Sequence, residues 1–322
     1  MLILNDNHPQ RNHLANLTKV INPNEAQKAD IRALRLGILN LMPLMNETEN
    51  DILQSIGHSI LQIEPVWIKI ASREKSGKNT SIEHIKNFYV TMEQATEHKN
   101  LDGLIITGAP IELLDFEQVK YWNELKKIFE YAKINIYSSM FLCWAAMAAS
   151  YHNHGLKKIE YPRKLAGIFK MKNIQGDNHP LTRGMNPSLS LLQSRNTDID
   201  QKKLRELCEI QEIIRLFESS EKPEALEGNE LGITTFATPN LDAIYNLGHF
   251  EYHENTLNQE IKRDLNKGVN YPVHGYYKNQ TIKEGIPNIS WKSERTLFYG
   301  NFLNLIYNKM NQNTIPHQPF KL

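Results

Sequence analysis

Short apolar runs alternate with amphipathic stretches through the first half of the chain. The runs have the length and continuous hydrophobicity of buried strands, and they cover residues 36–42, 63–70, 101–108 and 134–142. Between them, apolar residues recur at helical spacing in 46–62, 82–98 and 115–134, which predicts helices. Strands that alternate with helices form mostly parallel sheets with helices on both faces. We therefore predict an α/β fold.

The second half of the chain has a less regular pattern. Residues 212–217, 231–238 and 243–252 are typical of strands, and residues 256–267 and 293–310 are typical of helices. No repeat and no sharp change of composition divides the chain, so we predict a single α/β domain over residues 36–310. Residues 1–35 form an extension that packs on this domain or on a second subunit. We expect a solvated loop at 72–81 and a loose tail at 311–322.

Composition and charge exclude several classes of protein. The 322 residues are 40% hydrophobic and 23% charged, as in ordinary globular proteins. A formal net charge of +1 gives no electrostatic reason to expect nucleic acid or an anionic membrane as a partner. No segment approaches the roughly 20 apolar residues of a membrane span. Two cysteines provide neither a disulfide framework nor a metal site, and they fit a reducing cytoplasm.

One of the two cysteines, Cys143, lies where a predicted strand meets a predicted helix. Small residues follow it in the stretch "LCWAAMAAS", and a sharp turn from strand to helix requires small neighbours. This is the pattern of a nucleophile elbow, in which the helix N-terminus favours the reactive thiolate. The alternative is that Cys143 is a small buried hydrophobic residue. Cys208 has no comparable setting.

A cysteine nucleophile needs a base and a group that orients the base. His249 and Glu251 lie two residues apart in "GHFEY", so on a strand their side chains share one face. A chance pair is the alternative, because the chain has 12 histidines. The turn that follows residues 101–107 could supply an oxyanion hole. Its backbone donors would be Gly108 or Ala109, together with Trp144.

Five stretches of the chain together resemble a known family. They are "LGILNLMP", "LDGLIITGAPIELLDF", "YWNELKKIFEYAK", "LCWAAMAA" and "GHFEY", which occur in this order between about residues 36 and 307. They resemble the homoserine O-acyltransferases of the homoserine transsuccinylase type. The resemblance implies the flavodoxin-like fold of class I glutamine amidotransferases. It also implies that Cys143 is the acyl-accepting nucleophile, His249 the general base and Glu251 its partner.

The same resemblance assigns the residues that bind substrate. Lys164, Ser194 and Arg263 match substrate-binding positions of the family, and an arginine can bind an α-carboxylate with two hydrogen bonds. Glu112 occupies the position at which a glutamate accompanies acetyl-CoA and a glycine accompanies succinyl-CoA. A glutamate there fills the space of a longer acyl chain and repels its carboxylate.

The resemblance implies an enzyme that transfers the acetyl group of acetyl-CoA to the side-chain hydroxyl of L-homoserine. Acetyl-CoA is a substrate, and no cofactor or metal is expected. The family also suggests a homodimer in the cytoplasm. Serine O-acetyltransferase, homoserine O-succinyltransferase, a glutaminase-type hydrolase and a binding protein without activity remain as alternatives.

Some positions depart from the family pattern. Phe250 replaces a usual proline, His253 replaces a usual aspartate, and the stretches around Ser194 and 291–295 also differ. Since one methylene contributes only about 1–3 kcal/mol of discrimination, such changes bear on whether homoserine or serine is the acceptor.

Overall fold

A computed structural model of the protein describes residues 1–29, 32–72, 80–278 and 285–322. In these ranges the strands are β1 (Leu2–Ile3), β2 (Val20–Ile21), β3 (Leu34–Leu39), β4 (Ile63–Ile68), β5 (Tyr89–Val90), β6 (Gly103–Ile106), β7 (Ser138–Leu142), β8 (Lys158–Asn173), β9 (Ser188–Ile199), β10 (Ile214–Ser219), β11 (Gly232–Ala237), β12 (Ala243–Asn246) and β13 (Val273–His274). The helices are α1 (Arg11–Ala15), α2 (Pro23–Gln27), α3 (Met45–Ile56), α4 (Ile82–Phe88), α5 (Met92–Thr96), α6 (Trp122–Asn135), α7 (Trp144–His154), α8 (Gln201–Glu209), α9 (Thr256–Asn266) and α10 (Lys292–Gln312).

The strands form one sheet, which confirms the predicted α/β fold. Its order is β13-β8-β10-β11-β12-β7-β6-β3-β4-β1-β2, with β5 paired to β4 and β9 paired to β8. The strands from β12 to β2 in this order are parallel to their neighbours. Their carboxyl ends therefore lie along one edge, where open α/β sheets place their sites.

The parallel strands are apolar throughout because helices cover both faces of the sheet. Ile105 and Met140 pack in the cluster that contains α3 and α10 residues. Their neighbours Ile106 and Phe141 point the other way, into the cluster formed with α6 and α7. The alternation follows from the period of two in a strand.

The other part of the sheet is antiparallel except for β13, which is parallel to β8. The sequence pattern does not reveal the longest strands of this part. β8 and β9 form a long antiparallel pair, and β10 joins β8 and β11 in the same sense. The predicted helix over 82–98 is wrong, because α4, β5 and α5 divide this stretch. Thr91 starts α5 with a capping box to Gln94, which separates the two helices.

Both ends of the chain are attached to the domain. β1 pairs with both β2 and β4, so the N-terminal residues extend the sheet itself. The sequence predicts a loose C-terminal tail, but the structure places its last residues in contact with the domain. Phe320 is buried, its N–H donates to Thr96 Oγ1 at 2.9 Å, and the Tyr131 hydroxyl donates to the Gln318 carbonyl at 2.6 Å. These hydrogen bonds and the buried aromatic side chain fix the end of the chain on the domain.

Most of the predicted solvated loop, residues 73–79, lies outside the described residues. Within the described parts of the chain, no helix is both long enough and apolar enough to cross a lipid bilayer.

Candidate active site

Cys143 occupies the sharp turn between β7 and α7, as the sequence predicts. Its φ is 49° and its ψ is −116°, a backbone conformation that costs energy for any residue with a Cβ. The Cys143 N–H donates to the Asn246 carbonyl at 2.7 Å, which ties the turn to the end of β12. Ala145 and Ala146 follow and are fully buried, so small side chains allow the helix to start directly against the sheet.

His249 and Glu251 form a buried pair close to this turn. The imidazole Nδ1 lies 2.5 Å from Glu251 Oε1, and Nε2 has no hydrogen-bond partner among the described residues. Burial lowers the pKa of His249, but the charges of Glu251 and Cys143 outweigh burial and raise it well above its usual value. The Tyr252 ring stacks on the imidazole with centroids 4.0 Å apart. The structure therefore brings the three predicted residues together.

The pair is not held by the strand that the sequence predicts. β12 ends at Asn246, and His249 instead makes an isolated bridge to β9, where its N–H donates to the Leu192 carbonyl at 2.8 Å. The next carbonyl on the same side of β9, that of Ser194, lies 4.0 Å from Cys143 Sγ. β9 thus contacts both the Cys143 sulfur and the backbone that carries the imidazole.

The predicted oxyanion donors lie beside the sulfur. Gly108 follows β6, and a Cβ at this position would lie 3.2 Å from the Cys143 Cβ. Only glycine therefore lets the turn that contains Ala109 approach so closely without displacement. Trp144 is the first residue of α7, so its N–H has no acceptor within the helix.

Lys164 and Ser194 converge on an acidic side chain that sequence analysis missed. Lys164 Nζ lies 2.5 Å from Glu260 Oε1 and 2.8 Å from Asp264 Oδ2, and the Ser194 hydroxyl donates to Glu260 Oε1 at 2.6 Å. Burial raises the pKa of Glu260, but Lys164 and the Ser194 hydroxyl hold it below its usual value. Tyr271 donates to Asp264 at 2.8 Å and closes the cluster.

The side chains of Arg263 and Glu112 differ in how tightly contacts within the protein hold them. The Arg263 side chain is 48% exposed, and its ion pair with Asp264 is a long contact of 4.0 Å. Glu112 Oε2 accepts a hydrogen bond from the Asn196 N–H at 2.5 Å, and burial raises the pKa of Glu112. Arg263 can thus turn to meet a carboxylate, whereas Glu112 is fixed to β9.

A cavity of about 850 Å³ is lined by both the His249–Glu251 pair and the ion cluster. From the cluster and α9 it is lined by Lys164, Glu260 and Arg263, and from the turn after β6 by Gly108 and Glu112. Its volume lies within the range of small-molecule sites. Among the described residues, no group of three or more histidine, cysteine or acidic side chains is arranged to hold a metal ion.

Two of the departures from the family pattern have a clear structural place. Phe250 points away from the cavity into the core, where its ring lies 4.8 Å from Phe298 and 5.9 Å from Phe217. His253 is half-buried and follows the His249–Glu251 pair in the chain. Phe250 therefore changes the packing behind the site, and its side chain is not part of the cavity lining.

Solved structures with a similar fold include glutamine amidotransferases. A glutamine amidotransferase from Thermotoga maritima matches with a TM-score of 0.52 at 12% identity, covering 86% of this chain and 98% of that chain. A glutamine amidotransferase from Methylobacillus flagellatus matches with a TM-score of 0.50 at 8% identity, covering 90% of this chain and 100% of that chain. These likenesses confirm the predicted class I glutamine amidotransferase-like fold.

Sequence relatives are more specific. A homoserine O-acetyltransferase of Bacteroides fragilis is 36% identical over 286 residues, 88% of each chain. One of Lachnoclostridium phytofermentans is 36% identical over 281 residues, 87% of each chain, and one of Agrobacterium fabrum is 36% identical over 94% of this chain and 91% of its own length. The model of the homoserine O-succinyltransferase family matches residues 1–312. The chain therefore belongs to the homoserine O-succinyltransferase family, as its motifs predict.

Proposed function

We propose that the protein is a homoserine O-acetyltransferase, which moves the acetyl group of acetyl-CoA to the hydroxyl of L-homoserine through an acyl-cysteine intermediate. The observation that carries this proposal is the environment of the two nitrogens of the His249 ring. Glu251 binds one ring nitrogen, and the other has no hydrogen-bond partner by distance and angle among the described residues. Cys143 lies near enough to raise the pKa of the ring, and His249 lines the cavity. Such a ring can both take a proton and return it.

In the first step, the Cys143 sulfur attacks the carbonyl carbon of the acetyl-CoA thioester. A new sulfur–carbon bond forms, and the bond to the CoA sulfur breaks. His249, protonated by the thiol, returns that proton to the CoA thiolate. The N–H groups of Trp144 and of Gly108 or Ala109 are the proposed donors to the oxyanion. The raised pKa of His249 supports its role as the acid that returns a proton to the CoA thiolate.

In the second step, the homoserine hydroxyl attacks the acetyl carbon. His249 takes the hydroxyl proton, an oxygen–carbon bond forms, and the bond to Cys143 breaks to restore the sulfur. Arg263 is proposed to bind the α-carboxylate of the acceptor, because it is a partly exposed cation of the cavity wall. Lys164 and Ser194 act through Glu260, since both hold this carboxylate in place.

Glu112 supports an acetyl rather than a succinyl donor. Its side chain borders the cavity, and the Asn196 N–H fixes it there. A succinyl chain would bring a second carboxylate toward this acidic side chain, which costs free energy whether the contact is charge repulsion or lost space. The names of the relatives from Bacteroides, Lachnoclostridium and Agrobacterium agree with an acetyl donor.

The proposal is tested by release of CoA thiol with two donors and two acceptors. The donors are acetyl-CoA and succinyl-CoA, and the acceptors are homoserine and serine. Of the four combinations, acetyl-CoA with homoserine should release CoA thiol fastest. Faster turnover with serine would indicate a serine O-acetyltransferase, and faster turnover with succinyl-CoA would overturn the role of Glu112. Ammonia release from glutamine without acyl-CoA would indicate a glutaminase. Mass spectrometry should detect an acetyl group on Cys143 when the acceptor is omitted.

The family resemblance also leads us to propose a cytoplasmic homodimer. Two free cysteines, Cys143 and Cys208, fit a reducing compartment. Light scattering of the purified protein measures the subunit number directly, and a monomer at micromolar concentration would contradict the proposed dimer.

A further inference from the structure

Asp51 is a buried acidic side chain that the proposed chemistry does not use. It lies on α3, forms part of the cavity wall, and is 4% exposed. Its Oδ1 accepts a hydrogen bond from the His253 N–H at 3.1 Å, and the Thr256 hydroxyl lies 3.1 and 3.0 Å from its two oxygens. A buried carboxyl is unfavourable without such partners, so these contacts determine what Asp51 can do.

The segment that Asp51 holds joins the two parts of the site. His249 and Glu251 lie just before it, and Thr256 is the first residue of α9, which carries Glu260 and Arg263. The residue that precedes α10 also holds this segment. The Trp291 indole N–H donates to the Tyr252 carbonyl at 3.0 Å, and Tyr252 stacks on the imidazole.

From this arrangement we propose that Asp51 is a positioning residue for the acyl-transfer site. Its hydrogen bonds to the 253–256 turn fix the His249–Glu251 pair relative to the Cys143 sulfur and fix α9 relative to that pair. The proposal rests on the function proposed above, because the reaction that Asp51 would assist is that acyl transfer. The geometry of the sulfur and the imidazole can be measured without any substrate.

The surroundings of Asp51 indicate that it acts as a neutral acceptor. The charged and titratable groups that interact with it are Glu251 and Tyr252 just before the turn and Arg295 and Tyr299 on α10, in addition to the two donors described above. Burial raises the pKa of Asp51 to about 8, although hydrogen bonds from Thr256 and His253 oppose this shift. The carboxyl group is therefore largely protonated at neutral pH. An asparagine has the same size, is uncharged, and keeps one acceptor oxygen.

The test compares two replacements that have the same number and branching of side-chain heavy atoms as aspartate. Asp51→Asn keeps an oxygen for the His253 N–H, whereas Asp51→Leu leaves the N–H and the Thr256 hydroxyl unpaired. The rate of Cys143 alkylation by iodoacetamide is measured as a function of pH, because it reports the thiolate beside His249 without a substrate. We expect Asp51→Leu to slow alkylation at neutral pH by about tenfold or more, as small misplacements of reacting groups do. Asp51→Asn should stay within about threefold of the wild type, since it keeps the main hydrogen bond.

A buried aspartate elsewhere in the protein provides the control for general destabilisation. Asp102 is fully buried, accepts the Arg35 N–H at 2.8 Å, and pairs with Arg32 at the amino end of β6, away from the site. Asp102→Leu should lower the melting temperature yet leave the alkylation profile unchanged. Thr256→Val removes one donor to Asp51 and should give a smaller change than Asp51→Leu, which keeps the test informative if Asp51→Leu does not fold.

The possible outcomes distinguish a failure of the positioning role of Asp51 from a failure of the proposed acyltransferase function. Equal alkylation profiles for the wild type, Asp51→Leu and Thr256→Val would overturn the positioning role. An equal shift in Asp102→Leu would overturn it too, because the effect would then follow from lost stability. Absence of acetyl transfer with a normal alkylation response would reject the acyltransfer function alone.

Discussion

Replacement of Lys164 by methionine tests whether this cation holds the buried ion cluster in place. Lys164 Nζ contacts Glu260 at 2.5 Å and Asp264 at 2.8 Å, and its side chain is 11% exposed. At an effective dielectric constant of about 20, each contact contributes about 6 kcal/mol of attraction before desolvation is subtracted. Removal of one partner from a buried pair costs about 3–5 kcal/mol, because the remaining charge stays buried. Methionine preserves the aliphatic stem, so we expect a loss near 3 kcal/mol at about pH 7.

The pH dependence of this stability loss provides a second, independent test of the role of Lys164. In the wild type the folded pKa of Glu260 lies below its usual value. Its contribution to stability is therefore present above about pH 4.3 and is lost as the pH falls through the folded pKa. Without Lys164, burial is the largest remaining influence, and it raises the pKa of Glu260 above that of the unfolded chain. The variant should then regain stability as the pH falls toward about 5, because protonation removes the buried charge.

Urea unfolding at about pH 7 and pH 5 measures both effects as free energies of unfolding. Lys309→Met is the matched control. Lys309 contacts Asp242 at 2.6 Å, but that carboxylate side chain is 36% exposed, so the loss should be about 1 kcal/mol or less and should not reverse sign with pH. A loss below about 1 kcal/mol for Lys164→Met, with no recovery at the lower pH, would refute the assignment of Lys164 as the cation that holds the cluster.

Three further changes have defined outcomes. Glu112→Gly should raise the ratio of succinyl-CoA to acetyl-CoA turnover by about tenfold or more, measured as kcat/KM for each donor, and an unchanged ratio would contradict donor selection by Glu112. Glu251→Gln removes the main charge that raises the pKa of His249. The stability from the protonated imidazole is present below about pH 6.5 and is lost as pH rises through its raised folded pKa, so the wild type should exceed the variant in unfolding free energy more at about pH 6 than at about pH 9. Phe320→Ala should cost about 2–3 kcal/mol in urea unfolding, because its buried ring packs on Tyr131 at 5.5 Å, whereas a loose tail would show no loss.

The sequence predicts the parts of the site that depend on short spacings. The turn at Cys143 follows from a strand, a single residue and a row of alanines, and Glu251 follows His249 by two residues. Both relations are local, so the pattern of the chain is sufficient for them. The parallel strands are also evident, since strands covered on both faces are continuous apolar runs.

The rest of the site depends on contacts between distant parts of the chain. Glu260 and Asp264 lie one turn apart on an amphipathic helix, which usually indicates a solvated face. Their partner Lys164 is 96 residues from Glu260 in sequence and lies in β8, whose stretch "EYPRK" mixes charges with a proline. The helix predicted over 82–98 fails for a related reason. A pairing of Tyr89 and Val90 with β4 outweighs the local helical pattern there.

The position of β9 has a consequence for how activity is acquired during folding. Its carbonyl groups at Leu192 and Ser194 contact the histidine backbone and the sulfur, while β7 and β12 pair directly beneath them. These strands come from widely separated parts of the chain, and pairings of this kind form slowly. Intermediates that possess the parallel core but lack the β8–β9 pair should contain helix, yet Cys143 in them should react with thiol reagents only at the rate of an ordinary thiol, because His249 is not yet held beside it. The rate of Cys143 alkylation, measured separately from that of Cys208, would thus report when the last stage of assembly is complete.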